Sequence, residues 1–165
     1  MDTRVIPLHA NFQLNTRLVL NCLDEVTDDM ARTRPGPGVN SIAFIALHLH
    51  DARHYLARYL EVAEPDPFQQ ITANSSGIED IDIYPSLGEM RTAWMEISLA
   101  LEQHFTHLTA EMIDQPSPED APDFPVQDKS VLGGIAFLLL HEAYHIGQMG
   151  LLRKLHGLPA MSWHP

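Results

Sequence analysis

Cysteine is nearly absent from this 165-residue sequence, in which Cys22 is the single example. One cysteine cannot form a disulfide within the chain, and it cannot supply the several thiolates of a cysteine-based zinc site. This scarcity agrees with the reducing cytoplasm, so we expect a cytoplasmic protein. The first four residues lack the basic segment and apolar core of a signal peptide, and we therefore expect no export signal.

Positive charge is also scarce, because 10 Lys and Arg residues face 22 Asp and Glu residues and the formal net charge is −12. This balance argues against nucleic-acid binding and against an anionic membrane surface, which both need clustered basic residues. The longest strongly apolar stretch, Ile135 to Leu140, falls far short of the ~20 residues that span a bilayer. With 45% hydrophobic residues, the chain is predicted to form one soluble globular domain over residues 1–165.

Two helices are predicted in the first part of the chain from apolar residues that recur every three or four positions. The first helix is expected from about Pro7 to Met30. The second begins with Asn40 or Ser41 as its N-cap and continues to about Val62. Between them, a segment rich in proline and glycine interrupts helical structure.

Two further helices are predicted in the second part of the chain. Ser86 and Glu89 have the spacing of a capping box, so the third helix starts at Ser86 and its apolar pattern runs to Met112. Ser130 caps a fourth helix that reaches about His156, where glycine and proline follow. This helix is apolar around most of its circumference, which favours a homodimer in which a partner subunit covers it.

The fold class predicted from these four segments is all-α, a four-helix bundle with two long irregular connections. The connections cover Glu64 to Pro85 and Gln115 to Lys129. A short strand is considered only at Ile81 to Tyr84. Long connections within a compact domain are often functional, so they are expected near a site.

His141 and His145 are the most informative residues, because they are four positions apart in the fourth helix. Such a pair lies about 40° apart around a helix, so both imidazoles can point at one ion. His48 lies roughly 60° from the centre of the apolar face of the second helix, at the edge of the buried side. A metal bound by three histidines keeps open coordination positions, which is typical of catalytic sites.

His50 and His54 have the same four-residue spacing but face the other way. They lie about 140° to 180° from the apolar stripe of the second helix, and the simplest interpretation is a solvated pair. An inward histidine taken alone, such as His48, is more often a hydrogen-bonded core residue than a ligand. The pair His141 and His145 favours the metal interpretation, and an all-imidazole site accepts zinc, nickel, copper or iron.

The sequence His141-Glu142-Ala143-Tyr144-His145 also matches the His-Glu-x-x-His signature of zinc metalloproteases, in which the glutamate is the general base. The extended form of that signature is not matched, because Gln148 and Leu151 replace its glycine and its last histidine. No glutamate follows Glu142 to serve as a third ligand. A metalloprotease is therefore an alternative to a different metal-dependent enzyme.

Two segments together resemble the DinB-like (DinB/YfiT) superfamily of four-helix-bundle metal-binding proteins. The first segment runs from Asn40 to His48, and the second runs from His141 to Gln148, followed by Leu-Leu-Arg and Gly157. The resemblance covers nearly the whole chain. It implies that His48, His141 and His145 ligate a divalent metal, commonly zinc or nickel, with water completing the shell. It also implies a homodimer.

Some members of this superfamily are thiol-dependent transferases or isomerases that use a low-molecular-weight thiol, such as bacillithiol or mycothiol. The resemblance therefore implies a small-molecule substrate and thiol-dependent transferase or hydrolase-type chemistry. Asp51, Glu142 and Gln148 are the candidates for general acid–base or ligand-orienting roles. A metal-binding or partner-binding bundle without turnover is the non-enzymatic alternative.

Overall fold

The computed structural model describes residues 1–75, 77 and 80–163, and within these ranges the chain is all-α, as predicted. Four helices are long, namely α1 (Val5–Leu23), α3 (Ile42–Tyr59), α5 (Leu87–Phe105) and α7 (Val131–Leu155). Three are short, namely α2 (Asp28–Arg32), α4 (Gln69–Thr72) and α6 (Ala110–Ile113). The described residues contain no strand, including at 81–84, and only an isolated bridge between Pro116 and Ser130.

The four long helices pack around a common core, and we call them the bundle. Helices α1 and α3 each pack against both α5 and α7, so the four axes form a closed ring. Apolar side chains from all four helices fill the interior, among them Trp94 and Leu49, which are almost fully buried. Each large apolar side chain of this kind contributes about 1.5–3 kcal/mol of burial free energy, which drives the helices together.

Local capping sets where three of the long helices begin. The side chains of Ser41, Ser86 and Ser130 each accept a hydrogen bond from a backbone N–H group in the first turn. Ser86 and Glu89 form the predicted capping box in both directions. Helix α7 ends just before Gly157, whose φ of 78° lies in the left-handed region. These predicted boundaries are confirmed.

The first and third predicted helices are too long, and the second, which was predicted to about Val62, ends slightly earlier at Tyr59. Helix α1 ends shortly before Glu25, where the backbone takes a left-handed φ of 61°. The buried side chain of Arg153 donates hydrogen bonds to the carbonyl oxygens of Cys22 and Asp24, so they are satisfied without continuing the helix. Helix α5 ends at Phe105, and the chain turns before the separate helix α6. The apolar pattern continues through both breaks because the turns also bury side chains.

The prediction that His50 and His54 are solvated is wrong. Their residues are only 1% and 3% exposed, respectively. Between α3 and α5 the structure describes residues 60–75, 77 and 80–86, which we call the α3–α5 connection, and its residues 66–72 lie against this side of α3. Its Phe68 packs on His50, with 4.7 Å between ring centroids. A helical wheel recognises only the face turned to the bundle, whereas here a second layer covers the opposite face.

Helix α7 combines a tightly packed inner face with an exposed apolar outer face. A side chain at Gly134 would overlap the Tyr59 hydroxyl group of α3, so glycine permits the close approach of the two helices. The outer face exposes four large side chains: Leu140, Tyr144, Leu151 and Leu155. No helix in the described part of the chain is both long enough and apolar enough to cross a membrane.

Candidate metal centre

The three predicted metal-binding histidines meet between α3 and α7. His141 and His145 lie one turn apart on α7, and His48 faces them from α3. The Nε2 atom of His141 is 2.9 Å from Nε2 of His48 and 3.1 Å from Nε2 of His145. Since α3 and α7 are direct neighbours in the bundle, their packing brings residues 93 positions apart to a single point.

The spacing of these nitrogen atoms fits a shared cation. Metal–nitrogen bonds of about 2.0–2.1 Å with angles between a right angle and the tetrahedral value place two ligand nitrogens about 2.9–3.4 Å apart. Hydrogen bonds alone satisfy the cluster poorly, because Nε2 of His141 faces two ring nitrogens and carries at most one proton. The donor set is therefore suited to a divalent transition metal.

Gln148 holds one of the three rings in the orientation that metal binding requires. Its Oε1 atom lies 2.7 Å from Nδ1 of His145. When Nδ1–H donates to this amide oxygen, the lone pair of the ring is on Nε2, which points into the cluster. The His48 ring is supported differently, by parallel stacking on Phe44 at 6.2 Å.

The surroundings keep all three imidazoles neutral at physiological pH. Burial, followed by the nearby His48 and His145 rings, lowers the pKa of His141 to about 4. Burial also lowers the pKa of His48, with His145 adding to this effect and Asp51 opposing it. The pKa of His145 is lowered by burial as well, against the effect of its bond to Gln148. Neutral imidazole is the form that binds metals.

An open cavity of about 290 Å³ adjoins the cluster on the side of His48. Asp51 lies one turn beyond His48 on α3 and also lines this cavity. The opposite wall is formed by the α3–α5 connection, including Thr72 and Ser75. The volume is close to the lower end of the range for small-molecule pockets, about 300 Å³. A small molecule can therefore approach His48 and Asp51 together.

Glu142, the third candidate for acid–base chemistry, points away from the histidines into the bundle. Its residue is 2% exposed, and its two carboxylate oxygens accept bonds from Arg53 Nε at 2.7 Å and Arg53 Nη2 at 3.0 Å. Asn15 donates a further bond at 3.1 Å. Arg53 itself also contacts groups on α1 and α5: the hydroxyls of Thr16 and Ser98, the carbonyl of Phe12 and the ring of Trp94.

This buried network connects all four long helices, and sequence reasoning missed it. The only signal in the sequence was the direction of Glu142, about 100° around the helix from His141. Its partner Arg53 lies 89 residues away, so no local pattern could connect the two. Breaking such a pair leaves an uncompensated buried charge. Removing either Glu142 or Arg53 alone is therefore expected to destabilise the bundle.

The family model described as the DinB superfamily matches residues 11–149, which is most of the chain. The chain belongs to the DinB superfamily. A conserved protein from Enterococcus faecalis shares the fold at a TM-score of 0.71 and 13% identity, covering 94% of this chain and 97% of its own. A DinB-like protein from Bacillus cereus ATCC 10987 gives a TM-score of 0.69 at 16% identity, with 94% of each chain covered. No curated protein matches the sequence.

Proposed function

We propose that this DinB-superfamily protein is a metal-dependent enzyme that acts on a small molecule, with thiol-dependent group transfer as the leading reaction and hydrolase-type chemistry next. The observation that carries the proposal is the convergence of the Nε2 atoms of His48, His141 and His145 beside an open cavity. Zinc or nickel is the preferred metal, and iron or copper would also suit three imidazoles.

Each nearby side chain has a distinct role in this proposal. His48, His141 and His145 would hold a divalent metal, which would lower the pKa of a bound thiol or water molecule and so supply a nucleophile at neutral pH. Asp51 lies at the cavity beside His48, where its carboxylate accepts the proton that the nucleophile loses. Gln148 keeps the His145 ring turned with Nε2 toward the cluster.

An activity screen tests this function directly. Metal-loaded protein would be incubated with electrophiles and several low-molecular-weight thiols, alongside esterase substrates and casein. We expect thiol transfer that requires metal, disappears in His141→Ala and persists in the exposed control His107→Ala. In Asp51→Asn we expect a rate about 10²–10⁴-fold lower with the metal retained, because a general base is lost. Thiol transfer that survives in His141→Ala would contradict the proposal.

The same screen separates the alternatives. A metalloprotease would need Glu142 as its general base, but both oxygens of that carboxylate already bind Arg53. Casein cleavage that is abolished in Glu142→Gln while the metal stays bound would nevertheless favour the protease. A metal-loaded protein that is inactive with every substrate would favour the non-catalytic metal-binding or partner-binding bundle.

We also propose a homodimer formed through the outer face of α7. This face carries four large apolar side chains, each at least 59% exposed, at helical intervals of four or seven residues: Leu140, Tyr144, Leu151 and Leu155. Covering these side chains with a second copy of α7 would remove apolar surface from water. Sedimentation velocity should give a dimer for the unaltered chain and a monomer for Leu151→Glu. An unaltered chain that sediments as a monomer at micromolar concentration would contradict this.

A further inference from the structure

A second group of metal-binding side chains lies on the opposite side of α3 from His141 and His145. His50 and His54 are one turn apart on α3, and Asp66 approaches them from the α3–α5 connection. One ligand atom from each residue lies within 4.8 Å of the other two. Nδ1 of His50 is 3.7 Å from Oδ1 of Asp66, and the two imidazole centroids are 4.5 Å apart.

These polar groups are buried without the hydrogen bonds that burial normally demands. Both ring nitrogens of His50 lack a partner among the described residues, although this residue is only 1% exposed. The Asp66 side chain is 5% exposed, and its Oδ2 atom also lacks a partner there. Such atoms have lost their water without replacement, which destabilises a fold unless another group binds them.

Direct contacts within the cluster do not resolve this deficit. The 3.7 Å between His50 and Asp66 exceeds the length of a hydrogen bond. Oδ1 of Asp66 accepts a bond from the backbone N–H group of Phe68 at 2.9 Å, which fixes the carboxylate and leaves Oδ2 free to bind another group. His50, His54 and Asp66 therefore direct potential metal ligands at one another. Among the described residues, no other protein group pairs with the His50 nitrogens or with Oδ2 of Asp66.

We propose that His50, His54 and Asp66 form a second metal site that binds a divalent transition metal such as zinc. Two imidazole nitrogens and one carboxylate oxygen are a common ligand set for zinc and for iron(II), with water completing the coordination. Ligand atoms of one ion lie about 2.9–3.4 Å apart at ordinary bond lengths. The donors, which now lie within 4.8 Å of one another, would move closer by side-chain rotation when an ion binds.

The position of this site indicates a structural role. Two ligands belong to the rigid helix α3 and the third belongs to the α3–α5 connection, so a bound ion fastens the connection to the bundle. Farther along, the same connection supplies Thr72 and Ser75 to the wall of the cavity beside His48. The site itself is almost closed to solvent, unlike the His48 cluster. Its metal therefore holds the cavity wall in place and takes no direct part in turnover.

Zinc stoichiometry distinguishes the two sites. Chelator-treated protein of residues 1–165 would be titrated with zinc alone in the presence of a competing chromophoric chelator. We expect two bound ions per chain in the unaltered protein and in the exposed control His107→Ala. The His141→Ala/His145→Ala double variant should bind one, and so should His50→Phe, which keeps a ring packed on Phe68. The three substitutions together should leave none.

The outcomes for the two sites are independent. One zinc that is lost in His50→Phe but retained in the double variant would support this site and overturn the proposed function at His48. If the unaltered protein binds one zinc ion and His50→Phe still binds it, the second site alone is overturned. The same holds if His50→Phe binds two zinc ions.

Asp66→Asn provides a second test if His50→Phe does not fold, because asparagine retains an oxygen for the Phe68 N–H group. We expect it to weaken zinc binding by roughly tenfold or more in the double variant, since a direct ligand matters at least as much as a supporting residue. In the same double variant, zinc should slow hydrogen exchange of the amides in residues 60–75. Unchanged affinity in Asp66→Asn, or unchanged exchange with zinc, would overturn the assignment.

Discussion

Two pairs of histidines with identical spacing occupy different surroundings in this molecule. His141 and His145 on α7 are joined by His48 from a neighbouring long helix, and all three are only partly buried beside an open cavity. His50 and His54 on α3 are joined by Asp66 from a connection and are nearly inaccessible to water. Spacing along a helix directs two rings to one point, whereas the third donor and solvent access decide what a metal there can do.

An ion pair joins a residue that lies between His50 and His54 to a residue that lies between His141 and His145. Arg53 lies between His50 and His54 and forms the buried ion pair with Glu142, which directly follows His141. The ion pair fixes α3 relative to α7 within one turn of both histidine pairs. The two histidine clusters therefore lie beside the same buried ion pair, although they have no metal-binding side chain in common.

The largest expected effect separates the two pairs by activity. His141→Ala should reduce the proposed metal-dependent thiol transfer by more than about 100-fold, because losing a residue that would bind the metal directly costs more than losing a residue that only orients such a ligand. His54→Ala should reduce it far less, since its side chain belongs to the other cluster. Initial rates measured at saturating zinc would check this. Equal losses in the two variants would contradict the division into an open site and a closed one.

The next largest effect tests the ion pair between Arg53 and Glu142. Arg53→Ala should lower the free energy of unfolding by about 3–5 kcal/mol, because the buried Glu142 carboxylate loses its compensating charge. Urea denaturation followed by circular dichroism would measure it. The double variant Arg53→Met/Glu142→Leu should recover most of the stability, since it removes both charges. A double variant as unstable as the single one would show that packing of the arginine dominates.

A smaller effect is expected at Gln148, which supports only the first pair. Gln148→Ala should weaken metal binding at the His48 cluster by about 10–100-fold, because the His145 ring loses the bond that orients it. Exposed Gln103→Ala is the matched control and should leave affinity unchanged. Competition with a chelator in the His50→Phe background would isolate the first site. Wild-type affinity in Gln148→Ala would contradict the orienting role.

The smallest effect concerns Cys22, the single thiol of the chain, which is buried. Burial raises its pKa to about 11, so the thiol is protonated below that pH and the thiolate fraction grows only as pH rises toward it. Near neutral pH the thiolate is therefore only a very small fraction of the thiol. Reaction with a disulfide reagent should therefore be slow in the native protein and rapid in denaturant. Rapid native labelling would contradict its burial.

Much of the fold was predictable because its signals are local. The caps at Ser41, Ser86 and Ser130 use side chains and N–H groups within one turn, so three helix starts follow from the sequence. The end of α1 was not predictable, because it depends on Arg153 reaching the carbonyls near Cys22 from the far end of the chain. The convergence of His48 with His141 and His145 was predicted from helix faces and the family resemblance together.

The sequence by itself determined the helical class, the main helix starts and the two histidine pairs, because each depends on residues a few positions apart. Only the tertiary structure decided that the α3–α5 connection covers His50 and His54, and that Glu142 turns inward to Arg53. Both outcomes depend on which distant segment lies against a helix face. Helical periodicity carries no information about that partner, so the same spacing gives an accessible cluster on α7 and a buried one on α3.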